Sequence, residues 1–310
     1  MTKKILHIRI VSPSGAIEPA FIDGATERLR GWGYEVTEGR HARDRWGRFA
    51  GTDEDRLADL IKALHDPSVD AILCSRGGYG LQRIIDRVPK ITKPIIGFSD
   101  ITALHQLSAI SGQYSVHGIM CKHIATLPEE SEPIQALKRL LNGEAIEYRW
   151  ESHPLNTPGK ACAPIVGGNL SVLYGLQGTK FGLTQSAIRD QFPILLIEDI
   201  GERHYHIDRM IRNLRMSGVL AHLSGLIVGQ FSDCEDDPSM PPFDFERSGL
   251  SSLSEVVYHT IKEVVADYNY PILFNAPFGH VEHNLPLWFE RHASIDCGTE
   301  CVLRLNGLKI

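Results

Sequence analysis

Pro94-Ile95-Ile96-Gly97-Phe98-Ser99-Asp100-Ile101 decides the architecture of this chain. Pro94 to Phe98 is a short apolar run with turn residues beyond it, which reads as a buried strand. The segment from Asp100 to about Ser111 has the length and apolar spacing of a helix. A strand that passes straight into a helix is the repeating unit of a parallel α/β sheet. Working back toward the N-terminus, the same alternation covers roughly the first 120 residues. Ile5 to Val11 reads as a strand stopped by Ser12-Pro13-Ser14-Gly15. A helical pattern follows through Ala20, Ile22, Ala25 and Leu29 and stops near Gly31 and Gly33. Tyr34 to Val36 is a second short strand, and Asp53 to Leu64 is a helix with Leu57, Leu60, Ile61 and Leu64 on one face. Asp70 to Cys74 is a strand that runs into Arg76-Gly77-Gly78-Tyr79-Gly80, and a short helix is expected over Leu81 to Val88.

Working forward, the pattern changes. Residues 126–160 are polar and hold Pro128, Pro133, Pro154 and Pro158, which reads as a connection between domains. Beyond it come Val166-Gly167-Gly168-Asn169-Leu170 and the strand Phe192 to Asp199, which ends in two acids. A helix over Ile207 to Met216, a strand at Leu226 to Val228, an acidic Pro-containing loop over Ser232 to Arg247 and a helix over Glu255 to Ala266 follow. Residues 271–305 read as short strands and turns. The expected fold class is α/β: an N-terminal parallel α/β layer domain over 1–126, a connecting segment over 127–160, and a strand-rich C-terminal domain over 161–310.

Composition sets the outer bounds. With 310 residues, 43% of them apolar and 23% charged, the chain has room for two domains and no disordered or fibrous signature. A net charge of −6 offers no basic stripe for nucleic acid, so no nucleic-acid partner is expected. No stretch approaches 18 continuous apolar residues, so no membrane span is expected. The N-terminal apolar stretch is broken by His7 and Arg9 and is too short for a signal peptide core, which points to the cytoplasm. The six cysteines are dispersed without a CxxC, so they read as buried thiols in a reducing compartment.

Four places can carry chemistry. Gly97-Phe98-Ser99-Asp100-Ile101 has the setting of a nucleophile elbow, with Ile101 where a second glycine is usual. The Asp100 backbone N–H, at a helix start, is a natural oxyanion donor. The alternative is that Ser99 or Asp100 merely caps the helix. The glycines of Arg76-Gly77-Gly78-Tyr79-Gly80 permit close backbone approach to a ligand, or simply a tight turn. No G-K-[ST] occurs, so a P-loop nucleotide site is not expected. Glu198, beside Asp199 at a strand end, is either an orienting acid or a solvent-facing or capping one. His280, in Gly279-His280-Val281-Glu282-His283, is a turn-placed imidazole. A metal reading of His280, Glu282 and His283 lacks both the HExxH pattern and an obvious third ligand, with His204 and His206 the other histidines to consider. No cofactor or metal is expected. Cys74, without flanking glycines and beside Ile72 and Leu73, reads as buried and inert.

Taken in order, Ser12-Pro13-Ser14-Gly15, Phe49-Ala50-Gly51-Thr52-Asp53, Arg76-Gly77-Gly78-Tyr79-Gly80, Gly97-Phe98-Ser99-Asp100, His117-Gly118, Gly167-Gly168-Asn169-Leu170, Glu198-Asp199-Ile200, Ile207-Asp208-Arg209 and Gly279-His280 resemble the LD-carboxypeptidase family of serine peptidases. That family includes the murein tetrapeptide carboxypeptidases and the related microcin immunity peptidases. The resemblance implies a Ser99–His280–Glu198 triad, with the Gly78 and Asp100 backbone N–H groups as the oxyanion hole. It also implies a cytoplasmic homodimer that releases terminal D-alanine from murein tetrapeptide, a small peptide substrate of cell-wall recycling. The competing activity is cleavage of a peptidyl or aminoacyl nucleotide amide, as in microcin immunity. A peptidoglycan-fragment sensor without catalysis is the rival from another class. Arg76 is a candidate for the terminal carboxylate of the substrate, with a purely structural role as the alternative. The chain departs from the family pattern at Leu287-Trp288-Phe289-Glu290-Arg291, where a small, Gly-containing segment is expected, and this bears on selectivity or local packing. At Ile119, after His117-Gly118, the family commonly has proline.

Overall fold

The computed structural model describes residues 5–235, 244–250 and 252–308. In chain order the strands are β1 (His7–Val11), β2 (Glu35–Glu38), β3 (Ala71–Cys74), β4 (Ile95–Gly97), β5 (Ser115–His117), β6 (Ile146–Glu151), β7 (Gly159–Asn169), β8 (Ile194–Ile200), β9 (Gly225–Ser232), β10 (Ile272–Leu273), β11 (Leu287–Phe289), β12 (His292–Cys297) and β13 (Glu300–Leu305). They form two sheets, and the chain divides into two compact units.

The first unit takes in the chain up to Ile146, then Glu282–Arg291 and the chain from Leu305 on. Its sheet has the order β11-β5-β4-β3-β1-β2, with β1 to β5 parallel. The strands are near-continuous apolar runs because helices cover a parallel sheet. Ile8, Ile10, Ile72, Leu73, Ile95 and Ile96 are all buried. Helix α1 (Pro19–Gly31) starts with proline in its first turn, where a missing N–H costs nothing. Helix α2 (Asp53–His65) is opened by a capping box in which Thr52 and Asp55 satisfy each other's backbone N–H groups. The strand order reverses between β1 and β3, and in such sheets ligands bind beyond the carboxyl ends of the strands at the reversal. Three of the loops singled out from the sequence leave those ends: Ser12–Gly15 after β1, Arg76–Gly80 after β3 and Ser99 after β4.

Three sequence expectations are corrected here. Leu81 to Val88 is not one helix but two 3-10 turns, Leu81–Arg83 and Ile85–Arg87, because Ile84 leaves the helical region and Pro89 follows. The helix after β4 begins as a 3-10 turn, Ser99–Ile101, before α3 (Thr102–Ser111). Residues 126–160 are not a bare connection. Helix α4 (Cys121–Thr126) ends there, and α5 (Glu132–Leu141) buries Ile134, Leu137 and Leu140 in the first unit. Pro133 sits in the first turn of α5, so a residue read as a breaker is a helix start. The unit boundaries therefore differ from 1–126, 127–160 and 161–310: the chain returns to the first unit with β11, which pairs antiparallel with β5.

The second unit comprises Glu147–Val281 and His292–Arg304. Its sheet has the order β10-β9-β8-β7-β12-β13-β6, parallel from β7 through β10 and antiparallel between β7 and β12. This is the strand-rich second domain. Part of the acidic 232–247 loop lies outside the described residues. Among the described residues no helix is long and apolar enough to cross a membrane.

Candidate active site

In the first unit the elbow is built by steric need. Ser99 has φ of 67°, a left-handed conformation that costs a serine roughly 1–3 kcal/mol and persists only where the surroundings impose it. A Cβ at Gly97 would lie 2.9 Å from Ile101 Cγ1 and 3.3 Å from Cys74 Cβ, so the room left by Gly97 is filled by the isoleucine that replaces the usual second glycine. A Cβ at Gly77 would lie 2.8 Å from Ser99 Cβ, 2.9 Å from its Oγ and 3.2 Å from the Asp100 nitrogen. The Gly-rich loop thus lies directly on the serine, with Gly78 next in line at φ +105°. The capping alternative is overturned for both residues. No side chain caps this turn, and the Asp100 carboxylate accepts instead from Ser14 Oγ at 2.7 Å and from the Leu81 backbone N–H at 3.0 Å.

That carboxylate is buried, and burial pushes its pKa up while the bonds from Ser14 and Leu81 pull the other way. It clasps the three loops that leave β1, β3 and β4. Arg56 reinforces the clasp. Its buried guanidinium donates to the carbonyls of Pro13, at 2.6 Å, and Gly80, at 3.1 Å, and pairs with Asp53. Arg76 braces the same loop, donating to the Gly77 carbonyl at 3.2 Å and to that of Ala16 at 3.0 Å. Cys74 is buried and its thiol pKa is pushed up by desolvation, as an inert thiol requires.

In the second unit Glu198 is not solvent-facing but fully buried. The β8–β9 ladder shifts register between Ile197 and Asp199, so two residues of β9 oppose Glu198; such a bulge re-aims a side chain. His280 Nδ1–H donates to Glu198 Oε2 at 2.7 Å. This bond fixes the imidazole tautomer and leaves Nε2 as the basic nitrogen. Gly279, at φ +124°, permits the approach, since a Cβ there would lie 3.0 Å from both Glu198 Cβ and Oε2. Burial disfavours the His280 cation, but the bond to Glu198 and the charges of Glu198 and Asp199 outweigh it, and the pKa is raised. Asp199 is also buried, and burial followed by the Glu198 charge raises its pKa to about 7. It accepts from Asn169 Nδ2 at 2.8 Å and the Ser171 backbone N–H at 2.8 Å. Asn169 in turn caps the helix α6 (Leu170–Leu176) through the Val172 N–H.

Ser99, Gly78 and Asp100 are thus gathered in the first unit, and Glu198 and His280 in the second. The other histidines are engaged elsewhere: His283 Nε2 with Glu132 at 3.2 Å, His204 with Thr260 at 2.8 Å and His206 with Glu202 at 3.0 Å. The side-chain roles of Asp100, Arg56, Asp199 and Asn169 were not legible in the sequence. Each is a polar group whose partner comes from another segment; only the Asn169 cap, three residues before a backbone donor, leaves a local signal.

Comparison with known proteins finds relatives across both units. Residues 8–118 match the LD-carboxypeptidase N-terminal domain and residues 163–295 the LD-carboxypeptidase C-terminal domain. A Bacillus subtilis protein named "Probable murein peptide carboxypeptidase" is 35% identical over 236 residues, 73% of this chain and 72% of that protein. The crystal structure of muramoyltetrapeptide carboxypeptidase from Oxalobacter formigenes superposes with a TM-score of 0.79 at 23% identity, covering 98% of this chain and 100% of that one. The microcin C7 self-immunity protein MccF shares the fold with a TM-score of 0.78 at 18% identity, covering 98% of this chain and 97% of that one. With both domain models matched in order on either side of the segment 119–162, this chain belongs to the LD-carboxypeptidase family of peptidases.

Proposed function

We propose that this protein is a serine carboxypeptidase that hydrolyses the LD-peptide bond of murein tetrapeptide and releases terminal D-alanine. The observation that carries the reading is the buried Glu198 carboxylate bonded at 2.7 Å to His280, in a chain whose strained Ser99 stands on an elbow. In this mechanism His280 Nε2 takes the proton from Ser99 Oγ as the oxygen attacks the scissile carbonyl. Glu198 holds the ring and stabilises the imidazolium. The backbone N–H groups of Gly78 and Asp100 receive the oxyanion, which gains charge only as the transition state is approached. His280 then protonates the leaving amine, and the same ring activates the water that resolves the acyl-enzyme.

The names of the Bacillus and Oxalobacter proteins support a peptidoglycan-derived peptide as substrate. The fold shared with the microcin immunity protein supports, as the second reading, cleavage of an aminoacyl or peptidyl nucleotide amide by the same residues. Six unpaired cysteines, five of them buried, support a reducing, cytoplasmic setting, and the working form in this reading is a homodimer. The test is product analysis on a defined tetrapeptide beside an aminoacyl nucleotide amide, wild type against Ser99→Ala. D-alanine release that falls by about 10⁴-fold or more in the variant is expected. Near-full release by Ser99→Ala would eliminate the serine mechanism. Turnover of the nucleotide amide alone would reassign the substrate.

A further inference from the structure

Arg76 stands on the Gly-rich loop that lies on Ser99, and its side chain is exposed. The bonds that brace the loop use only part of its guanidinium. Nε donates to the Gly77 carbonyl at 3.2 Å and Nη1 to the Ala16 carbonyl at 3.0 Å. The Gly77 carbonyl also accepts from the Gly15 backbone N–H at 3.1 Å, so the loops after β1 and β3 hold the group between them. Glycine at position 15 makes this pose possible, since a Cβ there would lie 3.2 Å from Arg76 Nε. Among the described residues, Nη2 bonds no acceptor and no carboxylate pairs with Arg76. Arg56, which reaches the same loop, is buried and already engaged with the Pro13 and Gly80 carbonyls and with Asp53.

A guanidinium fixed by two carbonyls, with N–H groups to spare and no counter-charge, is prepared for an anion. Because the side chain is already ordered, little freedom is lost when the anion arrives. Its position says which anion. Nη2 lies 3.5 Å from where a Cβ on Gly78 would stand, which places it within about 6 Å of the Gly78 nitrogen, the proposed oxyanion donor. In a peptide cut before its last residue, the terminal carboxylate carbon is three bonds from the scissile carbonyl carbon, at most about 4 Å away. A group that reads that carboxylate must therefore stand beside the oxyanion donors, and Arg76 is a cation that does. Gly15, Arg76, Gly78 and Ser99 all belong to the first unit.

We propose that Arg76 is the specificity residue that holds the terminal carboxylate of the peptide through Nη2, and that it thereby confines cleavage to the last peptide bond. This rests on the carboxypeptidase reading above.

The test uses the full chain and two substrates, a tetrapeptide with a free terminal carboxylate and the same tetrapeptide ending in a carboxamide. Release of D-alanine and of D-alaninamide is followed for the wild type and for Arg76→Gln, which removes the charge but keeps an N–H for the loop carbonyls. A hydrogen bond to a charged group is worth about 10- to 100-fold. We expect the wild type to prefer the acid by that factor in kcat/KM. Arg76→Gln should lower kcat/KM for the acid by the same factor, leave that for the amide unchanged, and bring the ratio to about one. An equal fall on both substrates would make Arg76 a loop brace and overturn the assignment. So would a wild type that turns over acid and amide equally, an observation that needs no variant. Absence of release from either substrate by the wild type would remove the carboxypeptidase reading. The assignment is then read by calorimetry on Ser99→Ala, where the acid should bind about 10- to 100-fold more tightly than the amide only while Arg76 is present. Equal affinities there would overturn it.

Discussion

At the scale of single residues, the proposed chemistry rests on how Glu198 conditions His280. Burial alone would lower the pKa of the ring; the carboxylate bonded to Nδ1 reverses that and lifts it above the ordinary 6.5. A general base must be neutral, so activity is present above the raised pKa and lost as pH falls through it. We therefore expect kcat/KM to fall on the acid side with a midpoint above that of a free imidazole. A flat profile between pH 5 and 8 would count against a histidine base. Glu198→Gln removes the charge that raises the ring and stabilises the imidazolium, and its amide can turn an N–H toward Nδ1 and so hold the wrong tautomer. The midpoint should shift to lower pH while the plateau drops by about 10⁴-fold. A plateau unchanged from wild type would show that Glu198 only packs there. Asp199 titrates in the same region, at about 7, and the Glu198 charge helps to raise it, so both groups move to lower pH in Glu198→Gln and the drop in the plateau is the cleaner readout.

At the scale of elements, the site is made by loops pressed against one another where only glycine fits. A methyl group at Gly77 would strike Ser99 Cβ at 2.8 Å and its Oγ at 2.9 Å. Gly77 is not among the residues at positive φ, so alanine meets no backbone penalty and the strain falls on the elbow. Displacing a reacting atom by even about 1 Å can cost 10²-fold, so Gly77→Ala should lower kcat by about that factor while the protein still melts cooperatively. Gly31→Ala, at the end of α1 with nothing within 4 Å of the added carbon, is the control and should leave kcat unchanged. Equal kcat in both variants would mean that the loop does not set the position of Ser99. These contacts mark the limit of what the sequence discloses. The strands and the helices α1 and α2 were legible because apolar spacing and turn residues are local signals, and Ser99, Glu198 and His280 stood out by their place in ordered motifs. The Asp100 clasp, the Arg56 bonds and the bulge at Glu198 were not, because each depends on segments far apart in the chain. Pro133 was misleading for the opposite reason, since a proline at a helix start and one in a linker look alike locally.

At the scale of the whole molecule, the two units are interleaved by the path of the chain. After Val281 the chain supplies β11 to the first sheet, then β12 and β13 to the second, and re-enters the first unit at Leu305. The departure from the family pattern at Leu287-Trp288-Phe289 falls on β11, where all three side chains are at most 1% exposed. Trp288 packs edge-on against Tyr114 at 5.2 Å, and Gly118 has no Cβ because one would lie 2.8 Å from Pro286 Cβ. The unusual residues therefore serve the packing of the first unit, and Trp288→Ala should destabilise the protein by about 3–5 kcal/mol. In the second sheet β12 and β13 stand between β7 and β6, so without them β6 has no neighbour. Truncation after Val281 consequently bares the β5 edge of one sheet and splits the other, although Ser99, Glu198 and His280 all remain in the chain. We expect the truncated chain to lose its near-UV circular dichroism and cooperative melting, and with them all activity. A truncated chain that melted cooperatively would show that each unit can close its core without the returning strands.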